Sequence, residues 1–427
     1  MNICMFTNTY TPHVGGVARS VACFEADLRQ LGHRVLVVAP TYPDMPADEV
    51  EDHVLRVPAI QNFNGSDFSA RIPLPFLVGR KIDAFSPDII HSHHPYLMGE
   101  TALRAAGSRH LPLVFTHHTL YEEYMHYVLH SKSMQRYIIR FATAYANFCT
   151  SVVAPSESVA GLIRQRGVAV PVEVIPTGID YEAFQKGDGA LFRKQTGIGE
   201  NVPLIGHVGR LAPEKNLGFL SRAVKRHMRE NTETQFLVVG DGPDLKQIQE
   251  AFDRENMGDR LIMTGKQTGE DLINAYCAMD VFVFSSHSET QGLVIAEAMA
   301  AGTPVIALDA SGVREVVSDN ENGRLLPSDA SAEAFANTIS SFFSDPDQRG
   351  PWHDNALETA RRLDRLAMAE KLSQRYARTL QEPLKSGAEY DSMLGPWENL
   401  LDGIKVEWDL LSSKVSAIAE SIGFEET

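Results

Sequence analysis

Short apolar runs alternate with helix-length segments along most of this chain, and that alternation restricts the fold more than any other feature. Ile3–Phe6 leads into a Gly-containing loop and then a helical segment from about Val17 to Leu31, which stops at Gly32. Arg34–Ala39, Asp88–His91, Leu113–Thr116, Val152–Ala154 and Val172–Ile175 continue the series. A second series starts at Leu204–Val208 and runs through Phe236–Val239, Leu261–Thr264, Val281–Phe284 and Pro304–Ala307. Runs that stay apolar predict strands buried on both faces. Their alternation with helices predicts parallel, doubly wound sheets. Pro176-Thr177-Gly178-Ile179-Asp180 is a turn-rich joint between the two series. The expected fold class is α/β, with two Rossmann-like doubly wound domains facing across a cleft. In such sheets ligands bind beyond the carboxyl ends of the strands.

A chain of 427 residues is long enough for two full cores. Charged residues make up 22% of it and the net charge is −16. So acidic a chain is not expected to bind nucleic acid, because a phosphate backbone needs a basic face. Cys4, Cys23, Cys149 and Cys277 follow no metal or redox spacing and read as reduced core thiols. The first residues pass directly into a strand, without a basic leader or a long apolar run. The expectation is a cytoplasmic protein with neither a cleaved signal nor a spanning helix.

Beyond Trp397 the pattern changes. Trp397, Leu401, Ile404, Trp408, Leu411, Val415, Ile418 and Ile422 recur at alternating steps of four and three. That is a heptad seam. The tail, 386–427, is expected to be helical, either docking within the chain or forming a homo-oligomer contact. Its acidity disfavours anionic lipid.

The motifs with chemistry fall at strand ends. Ser288-Glu289-Thr290-Gln291-Gly292-Leu293-Val294-Ile295-Ala296-Glu297 follows an apolar strand and enters a short helix, with two glutamates eight positions apart. A helix start there presents unpaired backbone N–H groups to an anion. Glu297 lies along the helix, where a carboxylate can accept hydrogen bonds from a vicinal diol. Glu289 lies before the helix, nearer to whatever hangs from the anion. Phosphate, ribose and a further polyol together describe a nucleotide sugar. Arg210 and Lys215 follow the strand Leu204–Val208 on one loop. Two cations there suit a diphosphate leaving group. The competing reading is a surface ion pair with Glu214. Gly15 and Gly16 follow the first strand, where glycines permit close backbone approach to a ligand or simply form a structural turn. Val239-Gly240-Asp241-Gly242-Pro243 reads equally as cleft lining or as a tight turn.

Histidines cluster at His91, His93 and His94 and at His117 and His118. A histidine at the end of Leu113–Thr116 would project into the cleft, to bond a sugar hydroxyl or support positive charge at an anomeric carbon. A plain core histidine is one alternative and a metal site another, though no ligating cysteine accompanies them. Tyr121, Tyr124 and His126 lead into a helical segment, 128–145, with no acidic residue from Tyr124 to Ser156. Lys132, Arg136 and Arg140 share one face of it, and Tyr127, Ile138, Phe141 and Tyr145 supply apolar and aromatic area. The segment reads as an interfacial helix or as a solvated helix face.

Taken together, Gly15-Gly16, Arg210/Lys215 and Glu289-x₇-Glu297 resemble the family-4 retaining glycosyltransferases with the GT-B fold, over roughly residues 1–385. The resemblance implies domains at 1–178 for the acceptor and 179–365 for the nucleotide sugar, with a crossing helix over 366–385. It implies that Arg210 and Lys215 hold the diphosphate, Glu297 the ribose and Glu289 the donor sugar. Backbone N–H groups of Thr290, Gln291, Gly292, Leu293 and Val294 would face the phosphates, and His118 the anomeric carbon. It implies retention of configuration with no metal and no cofactor. Thr116-His117-His118-Thr119-Leu120-Tyr121-Glu122-Glu123-Tyr124-Met125-His126-Tyr127 resembles more narrowly the acceptor side of bacterial diacylglycerol α-glucosyltransferases. The implied reaction moves a hexose, from a UDP-glucose-like donor, to a membrane lipid at the cytoplasmic face. Transfer to a soluble sugar, sugar phosphate or glycan is the second reading. A nucleotide-sugar epimerase and a non-catalytic assembly protein are further alternatives.

Overall fold

The computed structural model describes residues 1–13, 15–42, 45, 52–60, 70–71, 75–120, 132–287 and 289–384. Tyr121, Tyr124, His126, Tyr127 and the heptad tail therefore lie outside the described residues. The strands are β1 (Asn2–Phe6), β2 (Arg34–Pro40), β3 (Val54–Val57), β4 (Ala59–Ile60), β5 (Ala70–Arg71), β6 (Ile89–Ser92), β7 (Leu113–Thr116), β8 (Ser151–Ala154) and β9 (Val172–Val174). They continue as β10 (Leu204–Val208), β11 (Gln235–Val239), β12 (Leu261–Gly265), β13 (Val281–Phe284), β14 (Val305–Leu308) and β15 (Gly323–Leu326).

The chain forms two units. Of the described residues, the first comprises those within 1–154, 160–174 and 372–384; the second comprises those within 155–159 and 175–371. The helix Arg365–Thr379 begins in the second and ends in the first. The first unit carries a seven-stranded sheet in the order β3-β2-β1-β6-β7-β8-β9, and β4 and β5 form a separate antiparallel pair. The second carries a six-stranded sheet in the order β12-β11-β10-β13-β14-β15. Both large sheets are parallel throughout. Each grows outward in two directions from its first strand, so each has a switch point where the winding reverses: β1/β6 in one, β10/β13 in the other. That is where doubly wound sheets bind ligands.

Strand periodicity explains the apolar runs. In β13, Phe282 and Phe284 enter one core and Val281 and Val283 the other. In β11, Leu237 and Val239 separate likewise from Phe236 and Val238. Helices cover both faces, so both sets of side chains are buried and no polar alternation survives. β3 and β15 lie at sheet edges, and their burial alternates or breaks, with Arg56 and Arg324 within them. These two strands and the β4–β5 pair lack an uninterrupted apolar run, so the sequence pattern does not mark them. Among the described residues, no helix is long and apolar enough to cross a membrane.

Candidate active site

In the second unit the candidate residues gather at the β10/β13 switch point. After β10 the chain runs through Gly209 to the exposed Arg210, then a single helical turn, Pro213–Lys215. Asn216, left-handed at φ 55°, turns it into the helix Leu217–Glu230. The loop is fastened to the end of β13. Ser285 Oγ donates to Lys215 O at 2.9 Å and Asn216 O at 3.2 Å, and Ser286 Oγ donates to Glu214 O at 3.2 Å. On its other side, Gly209 N donates to Val239 O at 3.0 Å and Leu211 N to Asp241 O at 2.9 Å. A Cβ at Gly240 (φ 143°) would lie 1.9 Å from Gly209 O, and one at Gly242 (φ 156°) 2.3 Å from Leu211 O. The Val239–Pro243 turn is thus a buttress that sets the height of the Arg210 loop.

Lys215 forms an ion pair with Glu289, both side chains mostly shielded from water. Its ammonium also lies 5.9 Å from the centre of the Phe284 ring. The structure thus joins, through the two strand-end loops, the cation and the first glutamate of the motif. The loop 289–292 is itself held closely. Ser156 Oγ donates to Thr290 O at 2.6 Å. Gln291 pairs with the backbone of Thr177, accepting from its N–H at 2.8 Å and donating to its carbonyl at 2.6 Å. Gly312 (φ 76°) lies behind the loop, where a Cβ would approach Gln291 N to 2.7 Å and Glu289 O to 2.9 Å.

Gly292, left-handed at φ 73°, starts the helix Leu293–Ala300. Gly292 O accepts from Ile295 N at 2.9 Å and Ala296 N at 3.2 Å. Helix geometry leaves the N–H groups before these, at Leu293 and Val294, without a carbonyl inside the helix. Glu297 sits one turn further on and is 1% exposed. The fully buried Tyr276 donates its hydroxyl to Glu297 Oε2 at 2.8 Å. A carboxylate so deep needs hydrogen-bond donors to be held there. Ser156, Thr177, Tyr276, Ser285, Ser286 and Gly312 all act by long-range contact. The sequence carried no local signal for them.

In the first unit the corresponding loops follow β1, β6 and β7. Gly15 caps the helix Gly16–Gln30 in extended backbone, and neither Gly15 nor Gly16 has a left-handed φ. A Cβ at Gly16 would meet nothing within 4 Å. The fold does not demand glycine at Gly16, and a ligand passing close to the backbone would. Asn8, beyond β1, ties to the loop beyond β6. Its N–H donates to His94 Nδ1 at 3.1 Å, and its Oδ1 accepts from Met98 N at 3.0 Å.

His91 is held at both nitrogens, by Tyr376 Oη at 2.6 Å and Thr116 Oγ1 at 2.7 Å. His93 packs on it with ring centres 4.1 Å apart, and its Nδ1 lies 2.9 Å from His118 Nε2. His117 turns inward and is buried, while His118 stays half-buried at the edge of the cluster. Among the described residues, no group of three or more His, Cys, Asp or Glu side chains is arranged to hold a metal ion.

Burial drives these imidazoles toward the neutral form: His91 and His94 fall to about 3, and burial with neighbouring histidines holds His93 and His118 well below the usual value. A histidine lowered on folding stabilises the fold fully above its unfolded pKa, near 6.5, and that contribution is lost as pH falls toward the folded value. The melting temperature is therefore expected to drop between pH 7 and pH 5. A replacement of His94 by glutamine should flatten that slope in calorimetry, and an identical slope would contradict it.

The helix Lys132–Phe148 corrects one expectation. Arg136 and Arg140 are exposed, and its described residues include no acidic side chain. Phe141 and Tyr145 do not share that surface: they are 4% and 0% exposed. Tyr145 donates to Gly99 O at 2.9 Å and packs edge-on against Phe115. At 3.6 residues per turn, positions 141 and 145 lie well round the helix from 136 and 140. The aromatic area belongs to the core. The Lys132 backbone opens the helix.

Comparison with known proteins agrees with this geometry. The family model described as Glycosyltransferase Family 4 matches residues 14–183, and that described as Glycosyl transferases group 1 matches 189–359. An alpha-monoglucosyldiacylglycerol synthase of Streptococcus pneumoniae is 32% identical over 337 residues, covering 76% of this chain and 75% of that protein. A GDP-mannose-dependent alpha-mannosyltransferase of Mycolicibacterium smegmatis is 31% identical over 338 residues, covering 77% and 85%. Among solved structures, Anabaena Alr3699/HepE in complex with UDP and glucose matches with a TM-score of 0.70 at 22% identity, covering 88% of this chain and 99% of that one. That likeness is one of fold, and the fold is GT-B. With two parallel doubly wound sheets, each carrying candidate residues at its switch point, the chain belongs to glycosyltransferase family 4.

Proposed function

We propose that this chain transfers a hexose from a UDP-glucose-like donor to a lipid hydroxyl, with retention of anomeric configuration and without a metal or cofactor. The observation that carries the donor half is the loop pair at β10/β13. There Arg210, the Lys215–Glu289 pair and the N-terminus of the helix Leu293–Ala300 belong to neighbouring strand ends. In this reading Arg210 and Lys215 face the diphosphate with the N–H groups of the 290–294 segment. Glu289 meets the hexose, and Glu297 takes the ribose diol at the floor of the site. The bond from the anomeric carbon to the β-phosphate oxygen breaks, and the cations hold the charge left on that oxygen. The acceptor oxygen bonds to the anomeric carbon on the same face, and its proton passes to the departing phosphate. The family resemblance would give His118 the role at the anomeric carbon, and Gly15 and Gly16 that of close backbone approach to the donor.

The relatives leave the sugar divided, one named for glucose and one for mannose. Glucose is favoured because the glucosyl relative is named for a diacylglycerol product and this chain has a cationic, acid-free helix to meet an anionic membrane. Transfer to a soluble sugar or glycan is the reading it competes with. Flotation with vesicles of anionic phospholipid and diacylglycerol separates the two. The wild-type chain is expected to float. Arg136→Glu with Arg140→Glu should weaken binding by at least roughly tenfold, since each basic group near such a surface is worth about 1 kcal/mol. A wild-type chain that stays at the bottom of the gradient would move the acceptor to the soluble class. The placement that follows is peripheral, on the cytoplasmic membrane face, and the heptad tail is proposed as a contact between copies of the chain.

A further inference from the structure

We infer that His93 is a positioning residue that fixes the tautomer of His118, presenting it as an Nδ1–H hydrogen-bond donor that does not act as a base; this rests on the site proposed above. One proton lies between His93 Nδ1 and His118 Nε2, which are 2.9 Å apart. Either ring can carry it, and the choice sets the opposite nitrogen of each. If His118 donated, His93 would need its proton on Nε2. That atom is buried with no hydrogen-bonding protein group among the described residues. A buried orphan N–H is among the rarest and costliest arrangements, whereas an under-satisfied acceptor is better tolerated.

His207 shows that this fold accepts the second arrangement. Its Nδ1 lies 3.1 Å from Val283 O, a carbonyl that only accepts, so Nδ1 carries the proton. Its Nε2 is then an unprotonated nitrogen, buried and without a protein partner among the described residues. By the same logic His93 donates from Nδ1, and His118 Nε2 accepts. His118, neutral by burial among other histidines, must then keep its proton on Nδ1. Both ring nitrogens are committed, one as an acceptor inside the cluster and the other as a donor. Such a ring can bond a sugar oxygen but cannot take a proton from the acceptor hydroxyl. His91 supports the arrangement as the wall against which His93 packs, itself fixed by Tyr376 and Thr116.

The test is nitrogen-15 NMR of histidine-labelled full-length protein, with His118 assigned by its loss in His118→Asn. Wild-type His118 is expected to show an unprotonated Nε2 and a protonated Nδ1 at neutral pH. His93→Asn places an amide N–H where Nδ1 was and should preserve that signature and near-normal turnover. His93→Asp places an acceptor there, so His118 Nε2 should gain a proton, with kcat falling roughly tenfold, the scale of one hydrogen bond. Circular dichroism checks that both variants fold. A wild-type His118 protonated at Nε2 would overturn the inference. So would His93→Asn shifting His118 as His93→Asp does, or reversal of the tautomer with unchanged turnover. The tautomer is read without substrate, so a chain that fails to transfer hexose would refute the proposed reaction while the NMR result still decided the role of His93.

Discussion

Replacing Glu297 with alanine is expected to lower transfer by on the order of 100- to 1000-fold, the usual loss when one preorganised polar contact to a reacting ligand is removed. The residue is 1% exposed and accepts from Tyr276, so the variant also leaves a buried hydroxyl short of its acceptor. That costs about 1–3 kcal/mol of stability. The two effects separate when activity is measured well below the melting temperature and Tyr276→Phe is assayed alongside. Tyr276→Phe removes the donor and keeps the carboxylate. It should therefore cost stability on the same scale while retaining most of the activity. Equal activity losses in both variants would mean that Glu297 matters for packing and does not meet the donor.

Lys215→Ala is expected to cause a loss of similar size by a different route. Lys215 is bound to Glu289 across the two loops of the switch point, and its backbone carbonyl is fixed by Ser285. In the proposed reaction its ammonium is already placed when the donor arrives, and no reorganisation would be needed as charge grows on the leaving phosphate. The loss should fall mainly on kcat, because that charge develops in the transition state. The pair is mostly shielded from water, so the variant also strands the Glu289 carboxylate and should lower the melting temperature; activity is therefore measured well below it. Steady-state kinetics showing a raised KM with unchanged kcat would reduce Lys215 to ordinary donor binding.

What was legible in the sequence follows from where burial is uniform. β13 and β11 sit inside their sheet with both faces covered, so Val281–Phe284 and the run ending at Val239 are apolar without interruption. β3 and β15 are edge strands that keep an arginine each, and their short mixed patterns resemble loops. The glutamate pair and the two cations were legible because each pair lies on one strand-end segment, the cations on a loop and the glutamates on a loop running into a helix, where neighbours in sequence are neighbours in space. Their supports were not. Ser156 reaches Thr290 across 134 positions, and Thr177 reaches Gln291 across 114. Nothing local in either serine or threonine signals that partner. The role of Gly312 likewise exists only in the space its missing Cβ leaves for the Glu289 loop. The helix face was a different kind of miss. Phe141 and Tyr145 follow Arg136 and Arg140 by five positions each, which is already a different side of a helix, and the 3.6-residue period contained the answer.

The proposed reaction is hexose transfer to lipid from a uridine nucleotide sugar. It is tested most directly by incubating the full chain with UDP-glucose, with and without vesicles of anionic phospholipid and diacylglycerol, and measuring released UDP and the anomeric form of any glycolipid. The prediction is vesicle-dependent UDP release matched by an α-linked glucolipid. No glycolipid in the presence of donor and vesicles, or a β-linked product, would contradict it.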